Sequence, residues 1–333
     1  MKTLRIWFAC SLALAVTMLF DWPYGFFAIL LPMFILGKSD QLNMPMVIIA
    51  LVSAIWTTLQ ATLIVQSLQQ HPLLLTAAVG LMMMAKCIEM MHPKTFLFGF
   101  MGLLVGSISL NYASYDFINI EEFNVNLWVI ALVNIGICSL AWWLFPTSDS
   151  QQAPAMPPKN SELHTITQVA TGWLVVMLAF VVFQFSDLYD SVSAQVSIII
   201  VLVPMTLSGS WALAKIRIIG TGIGCLAGLA VQVGLGPWFS HGLLFWLAMT
   251  LAMGLFCHWQ TKGPVKGGIA FSAMSALTVP LTTTLVPQQQ DAFFAILYRF
   301  SSIFFTVVLT VIAIWIIDHG LKWWFRHHQP STA

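Results

Sequence analysis

The run TVVLTVIAIWII, residues 306–317, decides the fold, because it is apolar on every side of any regular conformation it adopts. A strand of a membrane barrel alternates lipid-facing apolar residues with polar residues toward the lumen, and neither this run nor VSIIIVLVPM at 196–205 does so. Helix remains as the way to satisfy the backbone N–H and C=O groups inside lipid, where no water reaches them. The whole chain agrees: of 333 residues 59% are hydrophobic and 8% charged, against about 25% charged in a soluble domain.

A helix needs about 20 residues to cross a bilayer. Twelve apolar windows lie near 4–20, 23–37, 45–67, 73–91, 95–110, 127–145, 168–186, 192–208, 216–234, 239–257, 268–286 and 293–317. The second, fifth and eighth are short, which leaves ten or eleven crossings open. The net charge of +1 is no footprint for nucleic acid. With both termini in the cytoplasm and twelve crossings, Lys2, Arg5, Lys38, Lys94, Lys159, Lys215, Arg217, Lys262, Lys266, Lys322 and Arg326 fall inside or at the inner boundary. Asp21, Asp116, Glu121, Glu122, Asp187, Asp190 and Asp291 fall outside, and NYASYDFINIEEFNVN at 111–126 reads as the longest outer loop. Lys2, Arg5 and "ALA" at 13–15 resemble a secretory leader, but the apolar core before that site is at the low limit.

LPMFILG at 31–37 is echoed by VPMTLSG at 203–209, His71 and Cys87 correspond to His241 and Cys257, and Trp143 falls on Trp315. These matches predict an all-α polytopic membrane protein of about twelve transmembrane helices, arranged as two parallel six-helix repeats, since an even number of spans per repeat keeps both in one orientation. The first repeat is expected over 1–146 and the second over 168–320. A Pro-, Ser- and Gln-rich cytoplasmic linker covers 147–167 and a cytoplasmic tail 321–333. Pro32 and Pro204 are expected to break their helices by leaving a carbonyl one turn upstream without its donor.

Charges within the windows are few and costly. Arg299, in AILYRFSSIFF, carries a planar fork suited to a carboxylate, with a structural ion pair or a snorkelling side chain as the alternative. Lys86 and Glu89 stand three apart on one helical face, either as a self-neutralising pair or with Glu89 as a carboxylate that exchanges a proton. Lys215 and Arg217 open the ninth window, where Gly220, Thr221, Gly224 and Gly228 make a small-residue face for close helix packing. No strand precedes those glycines and no P-loop lysine follows, so they form no nucleotide loop. The five cysteines lack CxxC spacing or neighbouring histidines, and neither a disulfide framework nor a metal site is expected.

The run KIRIIGTGIGCLAGL at 215–229 is similar to the R-x-x-G-T-x-x-G signature of the fusaric acid resistance and aromatic acid exporter family, with Arg217, Gly220, Thr221 and Gly224 as the matching residues. The basic N-terminus LRIWFACSLALAV and the six-plus-six pattern resemble that family too. A short joint stands where its best-known members carry a large cytoplasmic domain, and MPMVIIALVSAIW at 44–56 lacks the signature, so the chain resembles a compact, divergent branch. The resemblance implies a bacterial inner-membrane secondary transporter, not an enzyme, that exports aromatic or other organic acids, is driven by protons and works with a periplasmic membrane-fusion adaptor. On that expectation Arg299, Arg217 and Lys86 bind substrate in a path between the halves and Glu89 carries the coupling proton. The expected partners are the bilayer, the organic-acid substrate and the adaptor, with homo-oligomerisation open and no cofactor or nucleic acid. The competing expectations are a non-transporting assembly subunit and an intramembrane lipid-modifying enzyme.

Overall fold

The computed structural model describes residues 1–38, 44–115, 119–146, 162–185, 192–283 and 292–328, and every regular element among them is a helix. In chain order these are α1 (Lys2–Leu19), α2 (Phe26–Lys38), α3 (Met44–Leu68), α4 (Pro72–Met91), α5 (Phe96–Ala113), α6 (Ile120–Leu144), α7 (Glu162–Phe185), α8 (Val192–Leu202), α9 (Leu207–Leu235), α10 (Gly242–Gln260), α11 (Pro264–Thr283) and α12 (Ala292–His328). Nine of the described helices, α1, α3 to α7, α9, α10 and α12, are long and apolar enough to cross a membrane, and the chain is a membrane-embedded helical protein. α2 and α8 are shorter apolar pieces, and α11 is diluted by Gly, Ser and Thr.

Local chemistry sets the boundaries. Pro72 stands in the first turn of α4, where its missing N–H costs nothing, and Pro93 forces the preceding His92 into extended backbone that ends the helix. Gly263, with φ +104, turns the chain between α10 and α11. The segment 111–126 is mostly helix and not the expected loop: α5 holds it to Ala113, and the Asn119 side chain accepts from the N–H of Glu121 to start α6 at Ile120. α12 continues through 321–328, residues expected as tail. Residues 147–161 of the expected linker, with Lys159, Asp116, Asp187, Asp190 and Asp291, lie outside the described residues.

The chain forms two compact units, Met1–Ile48 with Glu122–Pro154 and Lys215–Phe304, and Ile49–Glu121 with Ala155–Ala214 and Phe305–Ala333. Neither unit is a sequence half; a match between segments says which resemble each other, not which pack together. In lipid, where tails are as apolar as leucine, helices are held by close packing and interhelical hydrogen bonds.

In the first unit α1 packs on α2 and α10, and α11 packs on α10 and α2. Ile6, Cys10, Leu14, Ile29, Met33, Phe245, Met249, Phe256, Cys257 and Met274 fill its core. Trp7 donates its indole N–H to the carbonyl of Thr250 at 2.6 Å, and Trp246 returns a bond to the carbonyl of Ser11 at 3.0 Å, so α1 and α10 are stitched in both directions. In the second unit α4 packs on α5 and α7, and α8 packs on α5 and α7. Trp173 donates to the carbonyl of Gly80 at 2.8 Å, and the Ser53 hydroxyl to that of Phe98 at 2.6 Å.

Candidate functional site

α9 begins at Leu207, well before the expected start of its window, and the reason is chemical. α8 ends at Leu202, Pro204 cannot continue it, and Met205 takes a left-handed φ of +47. The Thr206 hydroxyl then accepts from the N–H of Gly209 at 3.3 Å and caps a new helix. Arg217 consequently lies three turns inside α9 and not at its mouth. Pro32, by contrast, stays inside α2.

Arg217 is 1% exposed. Its Nη1 donates to the Ser275 hydroxyl on α11 at 3.1 Å, and that hydroxyl donates onward to the carbonyl of Ser272 at 2.9 Å. Thr278, one turn further along α11, is also buried. Thr221 follows Arg217 by one turn on the same face of α9, and its buried hydroxyl has no hydrogen-bond partner among the described residues. The guanidinium cannot be discharged at any relevant pH, so a fixed positive charge sits among hydroxyl groups inside the first unit. Gly220 and Gly224 make this possible. A Cβ on Gly220 would lie 2.6 Å from the carbonyl oxygen of Ile269, and one on Gly224 would collide with the carbonyl of Ala273. α9 and α11 therefore approach backbone to backbone, as the small-residue face predicts; Gly228 on the same helix is buried as well.

Arg299 belongs to the first unit too and is half-buried. It follows Ile296, whose carbonyl meets the Cys225 thiol of α9 at 3.8 Å. Cys225 is two turns beyond Arg217 along α9, about 12 Å.

Lys86 and Glu89 lie in the second unit and find each other, with Nζ 3.2 Å from Oε2. Lys86 is 3% exposed and Glu89 30%. The Lys86 ammonium also stands 4.4 Å from the centre of the Phe98 ring, and its methylene stem fills the space a Cβ on Gly102 would take. This is the arrangement of the self-neutralising pair. Of the sequence candidates, the structure brings together Lys86 with Glu89, and Arg217 with Thr221, Gly220 and Gly224.

Sequence reasoning missed Arg5, which it placed among the boundary charges. The side chain is 0% exposed and ranks with Arg217 as one of the two largest fully buried side chains. Its helical register was the available signal: Arg5 shares a stripe with Ile6, Ala9, Cys10, Ala13, Leu14 and Thr17, all buried. No group of three or more His, Cys, Asp or Glu among the described residues could hold a metal ion. Asn134 donates to the carbonyl of Ile130 on its own helix at 2.9 Å.

Residues 2–141 match a family model described as a protein of unknown function, DUF2955. No curated protein and no solved structure matches the chain.

Proposed function

We propose that this chain is a secondary transporter of the bacterial inner membrane that exports aromatic or other organic acids, is coupled to protons, and hands its substrate to a periplasmic adaptor. The observation that carries the reading is Arg217. A permanently charged group inside a membrane bundle is expensive and is kept for a task, and this one donates to the neutral Ser275 hydroxyl beside the Thr221 hydroxyl, which has no partner among the described residues. An organic carboxylate would offer this site two acceptor oxygens matched to the guanidinium fork and an acceptor for the Thr221 hydroxyl. Arg299 adds positive charge further along the same unit, with Lys86 as a further cation and Glu89 as the group that exchanges a proton.

The proposed frame is twelve spans in two parallel six-helix repeats with both termini in the cytoplasm. Two hydrogen bonds support the repeat: Trp7 to Thr250 and Trp173 to Gly80. Gly80 and Thr250 stand at the same separation from the matched His71 and His241. The repeats would then be interleaved, each lending helices to both units.

The test is uptake of labelled 4-hydroxybenzoate by proteoliposomes under an imposed pH gradient. Gradient-driven uptake, lost in Arg217→Gln at unchanged melting temperature, is the expected result. Uptake indifferent to the gradient removes the proton coupling, and an active Arg217→Gln removes Arg217 from the site. The closed Lys86–Glu89 pair favours one competing reading, an assembly subunit whose charges only hold helices together. Such a subunit would transport nothing and would keep adaptor binding when Arg217 is neutralised.

A further inference from the structure

Glycines clear one face of α5 in the second unit, and side chains of α3 and α4 fill the space. A Cβ on Gly99 would lie 2.9 Å from Cβ of Glu89, and one on Gly106 would lie 2.8 Å from Cγ2 of Thr57. Between them, a Cβ on Gly102 would lie 2.9 Å from Cε of Lys86 and 3.1 Å from Oγ1 of Thr57. The Lys86 stem from α4 and the Thr57 hydroxyl from α3 therefore border the same point above Gly102. The Thr57 rotamer turns its hydroxyl to the level of Lys86 and its methyl group to the next turn of α5.

Thr57 is 0% exposed, and its hydroxyl has no hydrogen-bond partner among the described residues. A buried hydroxyl left so is costly, and a helix offers it a remedy in the carbonyl four residues back. Thr76, Thr171, Thr278 and Thr310 all take that remedy, and Thr57 does not. Ser53, one turn earlier on the same face, is committed elsewhere. Its hydroxyl donates to the carbonyl of Phe98 and so pins the residue whose ring stands 4.4 Å from the Lys86 ammonium.

At rest the ammonium is held by Glu89 on its own helix. A proton on Glu89 removes the opposite charge, yet a 3% exposed cation still needs an acceptor. Rotation about the last bonds of the lysine stem carries Nζ across the gap that Gly102 leaves, toward Thr57 Oγ1. Among the described side chains, Lys86 is the charged group that faces Glu89. α3 carries no titratable group, α5 carries only Tyr112, more than three turns from Gly99, and α7 carries none from Ile166 to Phe185. On α4 itself the other titratable group is the buried Cys87 thiol, and His92 and Lys94 after the helix are exposed.

We propose that Thr57 is the second acceptor of the Lys86 ammonium: when Glu89 takes up a proton, the ammonium turns to the Thr57 hydroxyl, and a bond within α4 is exchanged for one between α4 and α3. The step adds one proton to a carboxylate oxygen of Glu89, leaves the ammonium its three and breaks no covalent bond. It rests on Glu89 as the group that exchanges a proton, and gives that exchange a mechanical consequence, a tie between two helices that exists only in the protonated state. Thr57 acts through Lys86 and is a positioning residue.

The experiment is a thermodynamic cycle on the purified full chain in dodecyl-maltoside micelles, with Glu89→Gln in place of the protonated carboxyl. Thr57→Val keeps the shape and removes the hydroxyl. In the unaltered chain it should shift the melting temperature by about 1 °C or less, whereas in Glu89→Gln it should lower it by about 4 °C or more, because a bond to a buried ammonium is then lost. Thr57→Ser in Glu89→Gln should recover most of that difference. Should Glu89→Gln not fold, pH takes its place. The unaltered chain and Thr57→Val should melt together at pH 8 and part as the pH falls toward 5, with Thr57→Val the less stable, since Thr57 supports only the protonated form. An equal cost of Thr57→Val in both backgrounds or at both pH values, or no recovery with serine, overturns the proposal. These measurements involve no transport. A background-dependent Thr57 in a chain without gradient-driven uptake of 4-hydroxybenzoate removes the transporter and keeps the switch, and uptake with an equal cost in both backgrounds does the reverse.

Discussion

Trp7 reaches from α1 to the backbone carbonyl of Thr250 on α10, and its indole also lies 3.4 Å from where a Cβ on Gly254 would stand. Trp173 repeats the arrangement from α7, donating to Gly80 on α4 with its ring 3.8 Å from that glycine's missing Cβ. Removing either donor leaves a carbonyl that keeps its own helical bond, so the loss should be modest, about 1 kcal/mol for each Trp→Phe change. Thermal unfolding in detergent should show Trp7→Phe and Trp173→Phe lowering stability by similar amounts and the double variant by their sum, because the bonds share no partner. A large effect at one tryptophan and none at the other would break the equivalence of the two contacts.

Gly224 and Gly222 sit two residues apart on α9 and face different neighbours. A methyl at Gly224 meets the carbonyl of Ala273, which belongs to the α11 backbone and cannot turn aside. At Gly222 the nearest atom is the edge of the Phe300 ring at 3.5 Å, an ordinary contact. Gly224→Ala should therefore cost about 1–3 kcal/mol through forced separation of α9 and α11. Gly222→Ala should be neutral or gain up to about 1 kcal/mol from helix propensity. Melting temperatures of the two purified variants decide it, and a well-tolerated Gly224→Ala would mean that the helices are not held this closely.

How much of this was legible in the sequence depends on the range of the interaction. Helix, membrane and the approximate windows follow from composition and backbone satisfaction, which are properties of each segment alone. The small-residue face at Gly220 and Gly224 was legible for the same reason. The pairing of Lys86 with Glu89 was readable because both lie on one turn of one helix, although the cover that Phe98 and Gly102 give the ammonium was not. The burial of Arg5 and the interleaving of helices from both halves depend on which helix faces which, and runs of Leu, Ile, Val and Phe do not specify that.

The Lys86–Glu89 pair yields an asymmetric expectation. Glu89→Gln leaves a 3% exposed ammonium that faces, among the described residues, a neutral amide oxygen and the Phe98 ring in place of a carboxylate, whereas Lys86→Met leaves a carboxylate that is 30% exposed and can turn to water. Breaking a buried pair from the side that strands the buried charge is the costlier event, about 3 kcal/mol here, and the opposite substitution should cost less than half of that. Chemical denaturation in mixed micelles should rank the variants with Glu89→Gln least stable, Lys86→Met intermediate, and the double variant above Glu89→Gln. If Lys86→Met proved the worst, the methylene stem packed over Gly102 would matter more than the charge.

LPMFILG and VPMTLSG share a proline followed by methionine, yet Pro32 lies within α2 while Pro204 closes a turn between α8 and α9. The difference lies two residues after each proline. Phe34 offers nothing to the backbone, so α2 runs on past Pro32 with the one rung the proline removes missing, whereas Thr206 carries a hydroxyl that accepts the N–H of Gly209 and allows the chain to stop and restart. Thr206→Val keeps the shape and removes the acceptor. It should cost about 1 kcal/mol and raise amide exchange over the first turn of α9, with little change at the Arg217 turn. Thr206→Ser retains the acceptor and should lose about half of that or less. Hydrogen exchange with peptide-level readout distinguishes the outcomes: protection at Leu207–Ser210 unchanged in Thr206→Val would show that Pro204 and the left-handed Met205 alone set the break.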